Sequence, residues 1–334
     1  MKIAVVGCGA VGSFYGAKLA HAGQEVHFLL RSDYDAVRRK GLLVRSGQGD
    51  FRVRPRCAQA PEQIGQSDLV LIGLKTTANE QFARLLRPLV GAGTAVLTLQ
   101  NGLGNEERLA ELFAPGQILG GLCFVCLNRL EPGLVHHIDH GQVILGEFQG
   151  WPEPRTHTIA GMLRAAGVPC SVTDNLARAH WEKLTWNIPF NGLGVASAAG
   201  LEAVLSGRWE GDARGLSGCL TTDRLLADAG WARLVLELIE EVIRGARALG
   251  FDLPDDLAQT QIARTRTMGG YKPSTLIDFE RRQALELEAL FLEPLRRARQ
   301  AGVAAPRLEA LCRVLQELDE ITKGEQEETE RTET

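Results

Sequence analysis

The chain has 334 residues, 45% of them hydrophobic and 23% charged, with a formal net charge of −4. That length exceeds one comfortable core, so two domains are expected, and the composition is that of an ordinary globular protein. The charge gives no electrostatic reason to expect a nucleic-acid or anionic-membrane partner. No apolar run reaches the roughly eighteen residues of a membrane span, so a cytoplasmic protein is expected.

Residues 2–6, KIAVV, form a short β-branched apolar run that predicts a buried strand. Gly7, Gly9 and Gly12 follow in the spacing G-x-G-x-x-G, and a small-residue helix continues from Ser13. A dinucleotide needs each of them: Gly7 for the tight turn, Gly9 for close backbone approach to a pyrophosphate, Gly12 for helix–strand packing. The backbone from Gly7 through Cys8, Gly9, Ala10 and Val11 to Gly12 would then present free N–H groups at a helix N-terminus to the phosphates. A second strand over 25–30 completes strand–helix–strand in about thirty residues. At its end a carboxylate would read the ribose of NAD, whereas an arginine accommodates the extra phosphate of NADP. This chain has Arg31 there and favours NADP, although Asp33 and Asp35 just beyond keep NAD open.

Residues 51–54 predict a further strand, and the apolar run 68–74 a parallel-sheet strand ending at Lys75. A helix over 78–89 leads to a strand over 95–99, which ends in Gln100-Asn101-Gly102. Lys75 and Asn101 therefore both stand at carboxyl ends of strands, where open α/β sheets bind ligands. A helix near 105–113 and a strand near 118–127 come next. That strand carries Cys123 and Cys126, whose odd spacing points their thiols to opposite faces; they read as structural residues rather than a redox pair. The seven cysteines are scattered and odd in number, which suits a reducing compartment. Within 135–147, Asp139-His140-Gly141 marks a hairpin between two strand-like runs. His136, His137, Asp139 and His140 invite a metal, but adjacent histidines point opposite ways on a strand, and no metal site is expected. A helix to about Ala166 and a strand over 169–173 close the first domain.

From Asp174, a candidate N-cap, the chain turns helical. Lys183, Asn187 and Asn191 recur every four residues and stack on one helix face, a polar stripe able to donate to a carboxylate or carbonyl. Trp181, Leu184, Trp186 and Ile188 surround it with bulk, and Pro189 predicts a kink. A glycine-rich loop occupies 206–218, and helices follow over 221–226 and 232–249. One long helix is expected over 276–298, capped by Ser274 or Thr275, with Asp278 and Glu286 on one side of it. A final helix runs from Pro306 to about Ile321, and the charged tail 322–334 reads as disordered. The fold expected is α/β, an N-terminal Rossmann-type dinucleotide-binding domain (1–173) followed by an all-α C-terminal domain (174–321).

These pieces, KIAVVGCGAVGS, Arg31, GLK at Lys75, QNGLG around Asn101, WEKLTWNIPFN and PSTLIDFERRQALELEAL, together resemble the ketopantoate reductase family over nearly the whole chain. The resemblance implies NADPH-dependent reduction of 2-dehydropantoate to pantoate on the route to pantothenate. It implies Lys183 as proton donor, Asn187 and Asn191 as substrate ligands, and Ser274 as a ligand of the substrate carboxylate. Glu286 would lie beside the nicotinamide and the reacting oxygen, Asn101 would touch cofactor and substrate, and the backbone at Cys126 would touch the cofactor. The chain departs from the family in an inserted segment around 199–218, and a family asparagine beyond Asn191 has no counterpart.

The implied chemistry is physically coherent. Hydride arriving at a ketone carbon leaves negative charge on oxygen, which a positioned ammonium both stabilises and protonates. A nearby carboxylate such as Glu286 keeps that lysine charged. The partner expected is a small 2-keto acid, with a homodimer left open. A reductase or opine-type dehydrogenase for another 2-oxo acid is the nearest alternative, and a non-catalytic NADP sensor a more distant one.

Overall fold

The structure, a computed structural model, describes residues 1–211 and 215–332, with 322–332 described by backbone alone. The chain falls into two compact units, Met1–Ala179 and His180–Thr334.

The first unit alternates β1 (Lys2–Val6), α1 (Ala10–His21), β2 (Glu25–Leu29), α2 (Tyr34–Lys40), β3 (Leu42–Ser46), β4 (Phe51–Val53), β5 (Arg56–Ala58) and β6 (Leu69–Ile72). It continues with α3 (Phe82–Leu86), β7 (Ala95–Thr98), α4 (Asn105–Ala110), β8 (Ile118–Glu131), β9 (Leu134–Glu147), α5 (Pro154–Ala165) and β10 (Cys170–Val172). All ten strands join one sheet in the order β4-β3-β9-β8-β7-β6-β1-β2-β5, with β10 pairing β9. From β8 to β5 the pairing is parallel throughout, and β1 lies between β2 and β6. The strand order reverses at β1, so the glycine loop at its carboxyl end stands at the switch point where such sheets take ligands.

The apolar runs read as strands because they are buried on both faces. Side chains alternate along a strand, and the core divides accordingly. Ile3 and Val5 pack with Leu69, Leu71, Leu97 and the α1 residues Phe14 and Leu19. Ala4 and Val6 pack on the other face with Val70, Ile72, Val96, Phe82 and Leu109. Truncating one such residue, Leu71 for instance, leaves a cavity; Leu-to-Ala changes of this kind cost about 2–5 kcal/mol.

The antiparallel end of the sheet corrects the sequence reading. Asp139-His140-Gly141 makes no hairpin: β9 runs unbroken from Leu134 to Glu147. The turn lies earlier, at Pro132-Gly133, where Gly133 has φ +77°. At the expected hairpin the β8–β9 register slips between Phe124 and Val125, and His140 and Gly141 take φ values of 63° and 128°. The turn-type residues build a β-bulge, which bends a strand without reversing it. His137 there is a structural residue. Its ring stacks on Phe14, its Nδ1 bonds Ser46 Oγ at 2.8 Å and its Nε2 bonds the His140 carbonyl at 2.9 Å.

The second unit is helical, as expected. The helix α6 (Leu176–Ala196) crosses the unit boundary and runs on through Pro189 without a break. Its cap is Asn175, whose Oδ1 accepts from Arg178 N–H at 2.9 Å, in place of the anticipated Asp174. There follow α7 (Leu201–Ser206), α8 (Thr222–Ala227), α9 (Ala229–Ala248), α10 (Leu257–Arg266), α11 (Ser274–Glu280), a π-turn (Glu288–Leu292), α12 (Glu293–Gln300) and α13 (Pro306–Thr332). The predicted glycine-rich loop 206–218 includes residues 212–214, which lie outside the described residues. Its flanks are held: Trp209 N–H donates to Glu317 Oε2 at 2.9 Å and Ser217 N–H to the Ala198 carbonyl at 2.8 Å.

The single helix predicted over 276–298 is two. α11 stops at Glu280, Arg282 takes φ 55°, and Gln283 N–H closes the turn on the Asp278 carbonyl at 2.8 Å. Asp278 and Glu286 therefore do not share a helix face. α13 extends past the predicted Ile321 to Thr332, through most of the tail read as disordered; residues 333–334 of that tail lie outside the described residues. Among the described residues no helix is long and apolar enough to cross a membrane.

Candidate active site

The loop after β1 is built as the glycines require. Gly7 has φ +91°, a conformation L side chains rarely adopt. A Cβ on Gly12 would fall less than 3.0 Å from the Gly7 carbonyl oxygen and 3.2 Å from its carbon. Gly9 differs, since a Cβ there meets no protein atom within 4 Å. Its bareness satisfies no packing need of the protein itself, and Gly9 borders a cavity of about 700 Å³. A backbone left open toward a cavity, at the N-terminus of α1, fits a bound pyrophosphate.

Gly7, Cys8, Gly9, Arg31 and Lys75 all line that cavity, together with Asp33, Glu62, Arg84 and Arg129. Ala10, Val11 and Gly12 are the first residues of α1 and are not among its lining residues, nor are Asn101 and Cys126. Burial, with Asp33 and Cys57 nearby, pushes the Cys8 thiol well above its ordinary pKa, so it stays a neutral thiol among the loop amides. Its Sγ–H points to the Leu29 carbonyl at 3.4 Å.

Asn101 follows β7 at the head of a carboxamide chain that the sequence reading missed. Gln100 Nε2 donates to Asn79 Oδ1 at 2.8 Å, Asn79 Nδ2 to Asn105 Oδ1 at 3.0 Å, and Asn105 Nδ2 to the Asn101 carbonyl at 3.0 Å. Gln100 and Asn105 are buried, so this network is fixed and holds the Asn101 backbone. Three amide side chains within 79–105 were the available signal, but their meeting depends on the sheet.

In the second unit, Lys183, Asn187 and Asn191 step along α6 at about 6 Å per four residues. Lys183 is half-buried and the two asparagines are buried. Asn191, 3% exposed, accepts at Oδ1 from Ser274 Oγ–H at 3.4 Å and from Thr275 N–H at 3.1 Å. Two residues predicted as substrate ligands, 83 positions apart, are thus in contact. The same bonds correct the capping assignment, because the N-terminus of α11 is capped by Asn191 from α6 and not by its own hydroxyls. Further along α6, α10 anchors it through Thr265, whose Oγ1 accepts from Trp186 Nε1–H at 2.9 Å.

Glu286 is 8% exposed and sits on the non-helical stretch between α11 and the π-turn. What places it is Asp319 of α13, itself buried, whose Oδ1 accepts from the adjacent Leu285 N–H at 3.1 Å. A carboxylate 34 residues away carries no local signal of that role.

Two family models match the chain: "Ketopantoate reductase PanE/ApbA" over residues 3–150 and the C-terminal model of the same family over 213–319. The chain belongs to the ketopantoate reductase family. Like the family, it is an oxidoreductase acting on a CH–OH group, with a nicotinamide dinucleotide as cofactor. It is similar to a curated 2-dehydropantoate 2-reductase of Nostoc sp., 39% identical over 324 residues and covering 95% of each chain. It also resembles the crystal structure of 2-dehydropantoate 2-reductase from Geobacter metallireducens, at 46% identity and a TM-score of 0.85 over 95% of this chain and 99% of that one. A D-mandelate dehydrogenase solved with NADH and anilino(oxo)acetate shares the fold at 21% identity, with a TM-score of 0.82 over 97% of this chain and all of that one.

Proposed function

We propose that this ketopantoate reductase family member reduces 2-dehydropantoate to pantoate with NADPH, a step toward pantothenate. Family membership spans both units, and within the second unit Asn191 and Ser274 meet on the helix face that carries Lys183. That meeting carries the reading, because a 2-keto acid needs donors for its carboxylate beside a proton source for its ketone.

Arg31 on the cavity, at the end of β2, supports NADPH over NADH through its match to a 2′-phosphate. When bound, the nicotinamide supplies the hydride. Gly7–Gly12 present backbone N–H groups to the pyrophosphate, Lys75 adds charge on the same cavity, and Asn101 with the Cys126 backbone completes the cofactor contacts. Lys183 holds its ammonium against the developing alkoxide and transfers a proton to it. Glu286 keeps that ammonium charged. Because Asn191 Oδ1 is engaged by α11, its Nδ2 donors serve the substrate; Ser274 Oγ–H turns from Asn191 to the carboxylate, and Asn187 lies one turn nearer Lys183.

Steady-state kinetics test this with 2-dehydropantoate, other branched 2-keto acids and an aryl 2-keto acid, each with NADPH and NADH. Highest kcat/KM is expected for 2-dehydropantoate with NADPH. In Lys183→Ala, kcat falls about 10²- to 10⁴-fold, the range for loss of a general acid, while NADPH still binds. Turnover in that variant close to the unmodified rate refutes the role of Lys183, and preference for another keto acid refutes the substrate.

A further inference from the structure

Asp33 is the first carboxylate after β2, and it borders the cavity with Arg31. In nicotinamide enzymes an acid in this region accepts from the ribose hydroxyls. Here both of its oxygens are already engaged. Arg129, on β8, bonds it through both arms of its guanidinium: Nε donates to Oδ2 at 3.0 Å and Nη2 donates to Oδ1. Gly133 N–H, in the β8–β9 turn, donates to Oδ2 at 3.2 Å, and Ser32 Oγ–H to Oδ1 at 3.1 Å. The Asp33 side chain is 8% exposed, whereas the Arg129 side chain is 35% exposed.

We propose that Arg129 is a specificity-determining residue that holds Asp33 away from the ribose and so excludes NADH recognition. The inference deepens the NADPH assignment and rests on it. A carboxylate with four donors has no lone pair directed at a further hydroxyl, and its charge, neutralised by a bidentate arginine, no longer repels a 2′-phosphate. The discrimination then has two parts. Arg31 attracts the phosphate, and Arg129 silences the acid that would read the hydroxyl it replaces. The acid is kept because it fastens the β8–β9 turn to the end of β2, a task unrelated to the cofactor.

Binding of NADH and NADPH, followed by nicotinamide fluorescence without substrate, separates this from the alternatives. In Arg129→Met the freed Asp33 gains a ribose hydroxyl and faces the 2′-phosphate. NADH binding should tighten about fivefold, the worth of one net hydrogen bond, while NADPH binding weakens. Adding Asp33→Asn to that variant should reverse both changes. Asp33→Asn alone should leave NADH affinity within about twofold, since the acid takes no part in binding. If Arg129→Met weakens NADPH with NADH unchanged, and the second substitution restores nothing, Arg129 contacts the phosphate directly and the proposal is wrong. If Asp33→Asn alone weakens NADH severalfold, Asp33 already reads the ribose and the proposal is again wrong, a test that stands even should Arg129→Met fail to fold. Equal affinity of the unsubstituted protein for both cofactors would overturn the NADPH assignment separately.

Discussion

The contrast between Gly9 and Gly12 lends itself to measurement, because one methyl group at each position meets opposite surroundings. Gly9 has φ −71° and ψ −155°, which alanine adopts without strain, and its Cβ would touch no protein atom within 4 Å. Gly9→Ala therefore changes stability by less than about 1 kcal/mol, because the gain of about 0.4–1 kcal/mol through the unfolded chain is opposed by the poorer fit of alanine at the N-cap of α1. At Gly12 the methyl overlaps the Gly7 carbonyl, so loop and helix must separate. Overpacking of this kind costs about 1–3 kcal/mol, which at about 2–4 °C per kcal/mol lowers the melting temperature by roughly 2–12 °C. The cofactor should reverse this ranking of harm. If the Gly9 backbone approaches a pyrophosphate, the new methyl occupies the ligand's space, and a similar 1–3 kcal/mol weakens NADPH about 5- to 150-fold. Thermal denaturation without cofactor and an NADPH titration on both variants decide the matter. A Gly9→Ala protein that melts as early as Gly12→Ala, or binds NADPH as the unsubstituted chain does, refutes the assignment of Gly9 to the ligand.

Two further tests address the other features. Asn191→Ala strands the buried Thr275 N–H, at a cost of about 1–3 kcal/mol, and removes the proposed substrate donor, so both the melting temperature and kcat/KM should fall. Asn191→Asp keeps the acceptor for α11, so it should melt near the unsubstituted protein yet lose substrate affinity through repulsion of the keto-acid carboxylate; equal losses in the two variants would show the residue to be structural alone. For Asp33, burial raises the carboxyl pKa, but Arg129, Gly133 N–H and Ser32 together outweigh it and hold the group below its ordinary 3.8. A depressed folded pKa contributes stability above the unfolded value and loses it as pH falls through the folded one. Denaturation between pH 6 and pH 2.5 should show the unsubstituted protein ahead of Asp33→Asn near pH 6, with the gap closing below about pH 4; a gap independent of pH would contradict the ion pair.

Much of the first unit is legible in the sequence because its strands are buried on two faces, which writes them as uninterrupted apolar runs. The glycine loop is legible for a different reason, since its spacing records backbone geometry directly. The failures are nonlocal. Asp139-His140-Gly141 has turn chemistry that serves a bulge as well as a hairpin, and only pairing with β8 distinguishes them. The break after Glu280 carries neither glycine nor proline; ERRQALELEAL has high helix propensity throughout, and its non-helical conformation is tied to Asp319 by the Leu285 N–H bond. The polar stripe on α6 followed from period alone, but the partnership of Asn191 with Ser274 required the packing of α11 on α6. Short charged elements such as α2 and β5 carried too little periodicity to be read.

The outer edge of β9 has a consequence for where the first unit can be cut. One half of that edge, Leu134–His137, is covered by β3, and the other, Val143–Leu145, by the three residues of β10. A fragment ending at residue 150, where the first family model stops, would retain β1–β9 and lose β10 together with α5, whose Ile159, Ala160 and Leu163 are buried in the core. The uncovered segment QVILGE would then present a row of unpaired amides and carbonyls flanked by apolar side chains, an open template for adding a strand from another molecule. Self-association of such a fragment would reflect both that open edge and the apolar surface that α5 leaves behind, and the shortest soluble version of this unit should extend past Val172.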